Sequence, residues 1–172
     1  MRRKHIRNSI TRLLTEYGIS EPPVDVVRIA TGLGLEIQKK RAEEGLSGFL
    51  LREGGASPVI AVNCDEHPNR QRFTIAHEIG HFLLHTNPHL HVDRGYMVKL
   101  RDTKSSEGTD LEEKEANLFA AELLMPEHFV SRDVSSTGTV DLLDEKQIGR
   151  LAQQYKVSPQ AFAFRLAYLG YS

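Results

Sequence analysis

The stretch "RFTIAHEIGHFLLH", residues 72–85, constrains this chain more than any other. Laid on a helix at about 100° per residue with His77 at zero, Ile75, Ile79, Phe82 and Leu83 gather between about 140° and 240°. His81 then falls at about 40° and Glu78 at about 100°. The spacing predicts a helix with an apolar core face and, opposite it, two histidines looking into a cleft. Residues four apart on a helix have Cβ atoms about 5–6 Å apart, a gap that two imidazoles can close onto one zinc ion at roughly 2.0–2.1 Å each. Glu78 is too far round to be a comfortable ligand, but it can reach a water at the metal and act as general base. Gly80, at about 300°, leaves space for another backbone beside the metal at some cost in helix propensity.

Catalytic zinc normally takes three protein ligands and leaves a fourth position for water, so a third ligand is needed. His85 is nearest in sequence, yet it lies about 12 Å along the helix from His77, too far for the same ion. A metzincin-type third histidine would require glycine at 84 and histidine at 87, where this chain has Leu84 and Asn87. A second long helix is predicted from near Asp110 through "LEEKEANLFAAELL", broken at Met125-Pro126. With Glu113 at zero, Asn117 falls at about 40°, Ala120 at about 340° and Leu124 at about 20°, with Ala116 and Ala121 flanking. Such a small-residue face can approach the first helix closely enough for Glu113 to complete the shell and for Asn117 to hydrogen-bond a ligand histidine from behind. Glu112, at about 260°, is the alternative ligand, and Glu115 and Glu122, at about 180–200°, fall on the solvent side. Two neutral imidazoles and one carboxylate leave a net positive metal, which lowers the pKa of a water toward roughly 7 and polarises a carbonyl. One Zn2+ per chain is expected.

The rest of the chain frames this site. Its 172 residues, 40% hydrophobic, suffice for one compact domain with a small helical lobe appended. Lysine plus arginine number 22 against 23 acidic residues, so there is no global pull toward nucleic acid or membrane. The basic start "MRRKHIR" has no apolar run behind it and is not read as an export signal. A single cysteine, Cys64, excludes an internal disulfide, and no apolar stretch approaches the length of a membrane span, which makes the cytoplasm the expected compartment.

Helical spacing of Ile6, Ile10, Leu13, Leu14 and Tyr17 predicts a first helix. "SEPPVDVVRIATGLG" predicts a second, opened by Pro23 and ended by glycine. A strand is expected at "LEIQKK", then a hairpin of "LSGFLLR" and "PVIAVN" around "EGGAS". A polar connection from Thr86 to about Thr109 is long enough to suggest function. The tail reads as "EKQIGRLAQQY", the turn "KV", and a last helix with Ser158 as N-cap and Pro159 at its first position. The expected architecture is α+β: a small antiparallel sheet packed on helices, with the site in residues 1–126 and a helix-turn-helix-like C-terminal lobe in 127–172.

In these motifs the chain resembles the ImmA/IrrE metallopeptidases, zinc endopeptidases related in motif to the gluzincins. The likeness runs in order through "PPVDVVRIATGLGLEI", "LSGFLL", "RFTIAHEIGHFLLH", "EEKEANLFAAELLMP" and "LAQQYKVSPQAFAFRL". It implies His77, His81 and Glu113 as zinc ligands and Glu78 as catalytic base, in agreement with the wheels. It further implies a helix-turn-helix transcriptional repressor as the protein cleaved, with release of mobile-element, DNA-damage or defence genes.

Other readings stand beside this one. His85, His89, His91 and Tyr96 are candidates to line the cleft or stabilise an oxyanion, or are plain loop residues. Cys64 reads as a small residue ending a strand. The tail has the length of a DNA-reading helix-turn-helix, but its last helix carries Arg165 as its single cation, which favours packing or docking. The basic amino terminus could contact phosphates of single-stranded DNA as an activator, or simply be solvated. The rival function is a non-hydrolytic regulator that binds repressor or DNA around a structural zinc, and a third is a partner acting by one-for-one titration. A structural zinc would ordinarily have four closed protein ligands.

Overall fold

Helix α3 (Pro68–Leu84) is the axis of the fold, and it is far more enclosed than a one-sided amphipathic helix, with every residue from Thr74 to His81 buried. The computed structural model describes residues 2–43, 45–52, 56–85, 90–93, 106–137, 142 and 144–171. In chain order α1 (Arg3–Glu16) and α2 (Val26–Gly32) precede β1 (Glu36–Lys40), β2 (Gly48–Leu51) and β3 (Val59–Asn63), which lead into α3. After it come β4 (Leu90–Asp93), α4 (Ser106–Leu124), α5 (Glu127–Thr137), α6 (Glu145–Tyr155) and α7 (Pro159–Tyr168). α3 packs on β2 and β3, on α2 and, most extensively, on α4. Among the described residues no helix is long and apolar enough to cross a membrane.

The four strands lie in the order β1-β3-β2-β4. β2 and β3 form the expected antiparallel hairpin, Phe49 opposite Ala61, and β4 adds antiparallel to the far side of β2. The sheet is nevertheless mixed rather than antiparallel, because β1 pairs parallel with β3, Ile37 opposite Ile60. The burial of the strands gives the reason. β3 is buried at four successive positions, so it belongs in the interior of the sheet with a neighbour on each side, whereas β1 is largely exposed and suits an edge. β4 and the first turn of α4 also occupy part of the 86–109 span that sequence alone left as one connection.

Local chemistry explains most boundaries. α2 opens one turn later than Pro23 suggested, at Val26, where the Asp25 side chain caps Arg28 N–H. Pro68 begins α3 and the His67 ring accepts from Asn69 N–H. Pro126 follows the end of α4, and Ser158 caps α7 by accepting from Ala161 N–H. Lys156 takes the left-handed conformation, φ 52°, at the end of α6 and turns the chain into α7. Phe119, Leu123, Ile75, Ile79, Leu50 and Ile60 are buried in one apolar core. Each such side chain contributes on the order of 1.5–3 kcal/mol.

The acidic residues of α4 correct the wheel. Glu115 and Glu122 are 2% and 4% exposed, not solvated, because α1 lies over that face. Arg2 and Arg7 meet them there, Arg2 Nη2 at 3.3 Å from Glu115 Oε2 and Arg7 Nε at 3.3 Å from Glu122 Oε1. Two cations of the basic start are therefore engaged within the chain. Arg165 of α7 is buried as well, donating from Nε to the Met125 carbonyl at 3.0 Å and lying 3.4 Å from Glu122. The one cation of the last helix thus faces the protein interior.

Candidate metal centre

Three donor side chains on two helices converge. His77 Nε2 and His81 Nε2 are 3.0 Å apart, and Glu113 brings one carboxylate oxygen to 3.2 Å from His81 Nε2 and the other to 3.6 Å from His77 Nε2. Among the described residues His77, His81 and Glu113 form a group able to hold a metal ion, and Glu112 does not join it. A regular tetrahedron with bonds of about 2.0–2.1 Å has edges of about 3.3–3.4 Å, close to the sides of this triangle, so the residues fit a zinc-sized ion.

Their placement follows from packing. His77 and His81 share a face one turn apart, and α4 packs closely against α3 there. α4 comes close because Gly80 lies beneath it: a Cβ there would stand 3.2 Å from Ala116 Cα and 3.2 Å from Phe119 Cβ. The histidines are 2% and 3% exposed, while the Glu113 side chain, at 20%, is the member that reaches solvent. Glu78 is fully buried on the same helix.

Further groups surround the triangle. Asn117 Oδ1 lies 3.1 Å from His77 Nδ1, on the side of the ring away from Glu113. His85 is buried; its Nδ1 is 3.1 Å from His81 Nδ1 and its Nε2 is 3.3 Å from Glu115 Oε2. Burial works against the charge of Glu115. The Arg2 backbone N–H, His85 and the Arg2 guanidinium outweigh that and hold its carboxyl below the ordinary value. Arg52, just past β2, donates from Nη2 to the carbonyls of His81 and His85 at 2.9 and 3.0 Å. Burial pulls its guanidinium below the usual value, with the nearby charge of Glu78 opposing.

Sequence reasoning missed Glu115 and Arg52. The two-turn spacing of Glu115 and Glu122, read against the arginines of the amino terminus, carries a signal for the first. Arg52 carries none, since it acts through side-chain reach from a strand end. Tyr96 and His89 lie outside the described residues, as does the side chain of His91. Cys64 follows β3, is exposed and takes no part in the group.

Two histidines one helical turn apart, closed by a glutamate from a second helix, form a donor set of the metallopeptidase class. Comparison with known proteins agrees. Residues 30–167 match the peptidase M78 family, described as the IrrE N-terminal-like domain, and the chain belongs to that family. It is similar to the radiation response metalloproteases IrrE of Deinococcus radiodurans, 33% identical over 67% of this chain and 33% of that one, and of Deinococcus deserti, 34% identical over 72% and 44%. The chain thus spans less than half the length of these two relatives. An uncharacterized immunity region protein 2 of Bacillus phage phi105 is 24% identical over 79% of this chain and 78% of its own. In fold the chain is similar to a Mycobacterium tuberculosis transcriptional regulator, with a TM-score of 0.65 and 17% identity over 95% of this chain and 46% of that one. Membership of a metalloprotease family implies a metal, and His77, His81 and Glu113 are close enough together to bind one.

Proposed function

We propose that this protein is a zinc endopeptidase that cuts a helix-turn-helix transcriptional repressor. The observation that carries the reading is the convergence of His77, His81 and Glu113 with Glu78 buried on the same helix. The three donors found among the described residues are the number a catalytic zinc ordinarily takes, whereas a structural zinc would ordinarily have four. The alternative of a non-hydrolytic regulator is disfavoured on the same ground.

Zinc, when bound by His77, His81 and Glu113, would polarise the scissile carbonyl and lower the pKa of an adjacent water toward roughly 7. Glu78 takes the proton from that water and returns it to the leaving amine, one carboxylate serving as base and then as acid. Arg52 clamps the last turn of α3 through its two carbonyl contacts and so fixes the helix on which this happens. A substrate segment adds as a strand to β4, the sheet edge beyond β2. Residues 1–126 supply the site and 127–172 a helical subdomain that docks the repressor. Release of stress, mobile-element or defence genes then follows from loss of the repressor, in the cytoplasm, with single-stranded DNA as a candidate activator.

The test is gel-resolved cleavage of a co-encoded repressor by the zinc-loaded protein and by Glu78→Gln, with and without single-stranded DNA. Discrete fragments from the wild type alone are expected. Intact repressor in every lane, together with tight binding, would replace the peptidase by the regulator.

A further inference from the structure

The two histidines of the triangle are backed in different ways. A histidine that binds a metal through Nε2 carries its proton on Nδ1, and that proton needs an acceptor to set the ring's orientation. For His77 the acceptor is the amide oxygen of Asn117, a single step. For His81 the neighbour at Nδ1 is another imidazole nitrogen, Nδ1 of His85 at 3.1 Å. If His81 donates there, His85 Nδ1 accepts, and a neutral His85 must then carry its proton on Nε2. That is the nitrogen lying 3.3 Å from Glu115 Oε2. Glu115 in turn accepts from the Arg2 backbone N–H at 3.0 Å and from the Arg2 guanidinium at 3.3 Å. In this arrangement His81 and His85 donate toward Glu115, and Arg2 donates to the same carboxylate from the other side.

We infer that His85 is a positioning residue for His81, held in its accepting tautomer by Glu115 and Arg2, so that the amino-terminal segment helps to set the affinity of the metal centre. The inference rests on the reading of His81 as a ligand. Three features make His85 suited to this part. It is 5% exposed, so water does not compete for its nitrogens. Its carbonyl is held by Arg52 at 3.0 Å, and the neighbouring Leu84 carbonyl accepts from Arg2 at 3.2 Å, which fixes the end of α3 from both sides. Its distance along the helix from His77 removes it from the ligand set while leaving it one turn from His81.

The experiment measures zinc and cobalt(II) affinity by chelator competition, and the visible spectrum of the cobalt form, for the wild type, His85→Phe, His85→Gln and Glu115→Gln. Loss of a group behind a ligand typically costs about 10–100-fold in metal affinity. His85→Phe keeps an aromatic ring but removes the acceptor, and a loss in that range with an altered cobalt spectrum is expected. His85→Gln offers an amide oxygen to His81, as Asn117 does to His77, and is expected to recover most of the affinity. Glu115→Gln should fall between them.

Equal weakening by Phe and Gln would overturn the inference in favour of simple packing, and so would wild-type affinity and spectrum in both His85→Phe and Glu115→Gln. If His85→Phe does not fold, Glu115→Gln decides, and an unchanged affinity there overturns the relay. A wild type that takes up neither ion would sink the metal reading itself and the inference with it, an outcome distinct from a metal-binding wild type whose variants are unaffected.

Discussion

Two buried polar clusters lie on different faces of α4 and follow opposite electrostatic plans. Toward α3, His77, His81 and Glu113 bring potential metal-binding atoms to a common point, 3.0–3.6 Å apart. Toward α1 and α7, Glu122 sits between Arg7 and Arg165, at 3.3 and 3.4 Å, a carboxylate already flanked by two cations. The second cluster is complete in itself. The first, with its Nδ1 protons committed to Asn117 and His85, gathers acceptors that ask for a cation among them. Each cluster has a buried pair at its centre, His77 with His81 in one and Glu122 with Arg165 in the other, so it is the sign of the converging atoms that separates a binding site from a structural ion pair.

The largest expected effect lies on the first face. Glu78→Gln should retain zinc and lower repressor cleavage by at least about 10²–10⁴-fold. His77→Ala or Glu113→Ala should lose zinc as well. A fully active Glu78→Gln, assayed by initial cleavage rates, would end the proposed mechanism. Next comes the second face. Glu122→Ala leaves the 3%-exposed Arg165 without its carboxylate and should destabilise the fold by about 3–5 kcal/mol in denaturant titration. The zinc affinity of the folded fraction should not change. A cost below about 1 kcal/mol would show that the pair contributes no more than a surface contact and blur the distinction.

Zinc at about 100 times its Kd should stabilise the wild type by about 2.7 kcal/mol, read as a chelator-reversible rise in Tm that His77→Ala lacks. The smallest effect concerns another buried polar pair, Tyr155 and Asp133, in which the Tyr155 hydroxyl donates to the carboxylate at 2.7 Å. Tyr155→Phe should cost about 1.5 kcal/mol. Burial, then the bond to Asp133, pushes this phenol well above its usual value. A folded-state pKa above the unfolded one means the contribution is complete below about pH 10 and fades as the pH rises further. An alkaline loss of stability that is identical in Tyr155→Phe would refute the assignment.

What the sequence disclosed follows the range of the interactions involved. The helix of His77 and His81, the break at Pro126 and the Ser158 cap all depend on residues within a turn or two of one another, and all were legible. The approach of Glu113 to the two histidines was legible too, because its small-residue face could be read from a single helix. The parallel pairing of β1 with β3 was not, since it depends on which strand the core claims for its centre. Helix α5 went unread because "EHFVSRDVSST" is rich in residues that prefer caps and turns, and it is held instead by the burial of Phe129, Val130 and Val134. The burial of Glu115 and Glu122 needed partners more than a hundred positions away.

One missing methyl group has the widest reach. The absence of a side chain at Gly80 lets α4 lie as near to α3 as it does, and α4 carries Glu113, so this glycine helps to set the gap across which Glu113 meets the histidines. A backbone contact of 3.2 Å cannot absorb a new carbon by rotating anything; the helix itself must retreat by a few tenths of an ångström. That retreat widens two sides of the triangle and leaves the third, fixed within α3, as it was. The change runs toward the longer bonds of about 2.3–2.6 Å that calcium makes, yet with nitrogen donors that calcium does not favour. The spacing of the three donor side chains is thus set in part at a position that belongs to none of them.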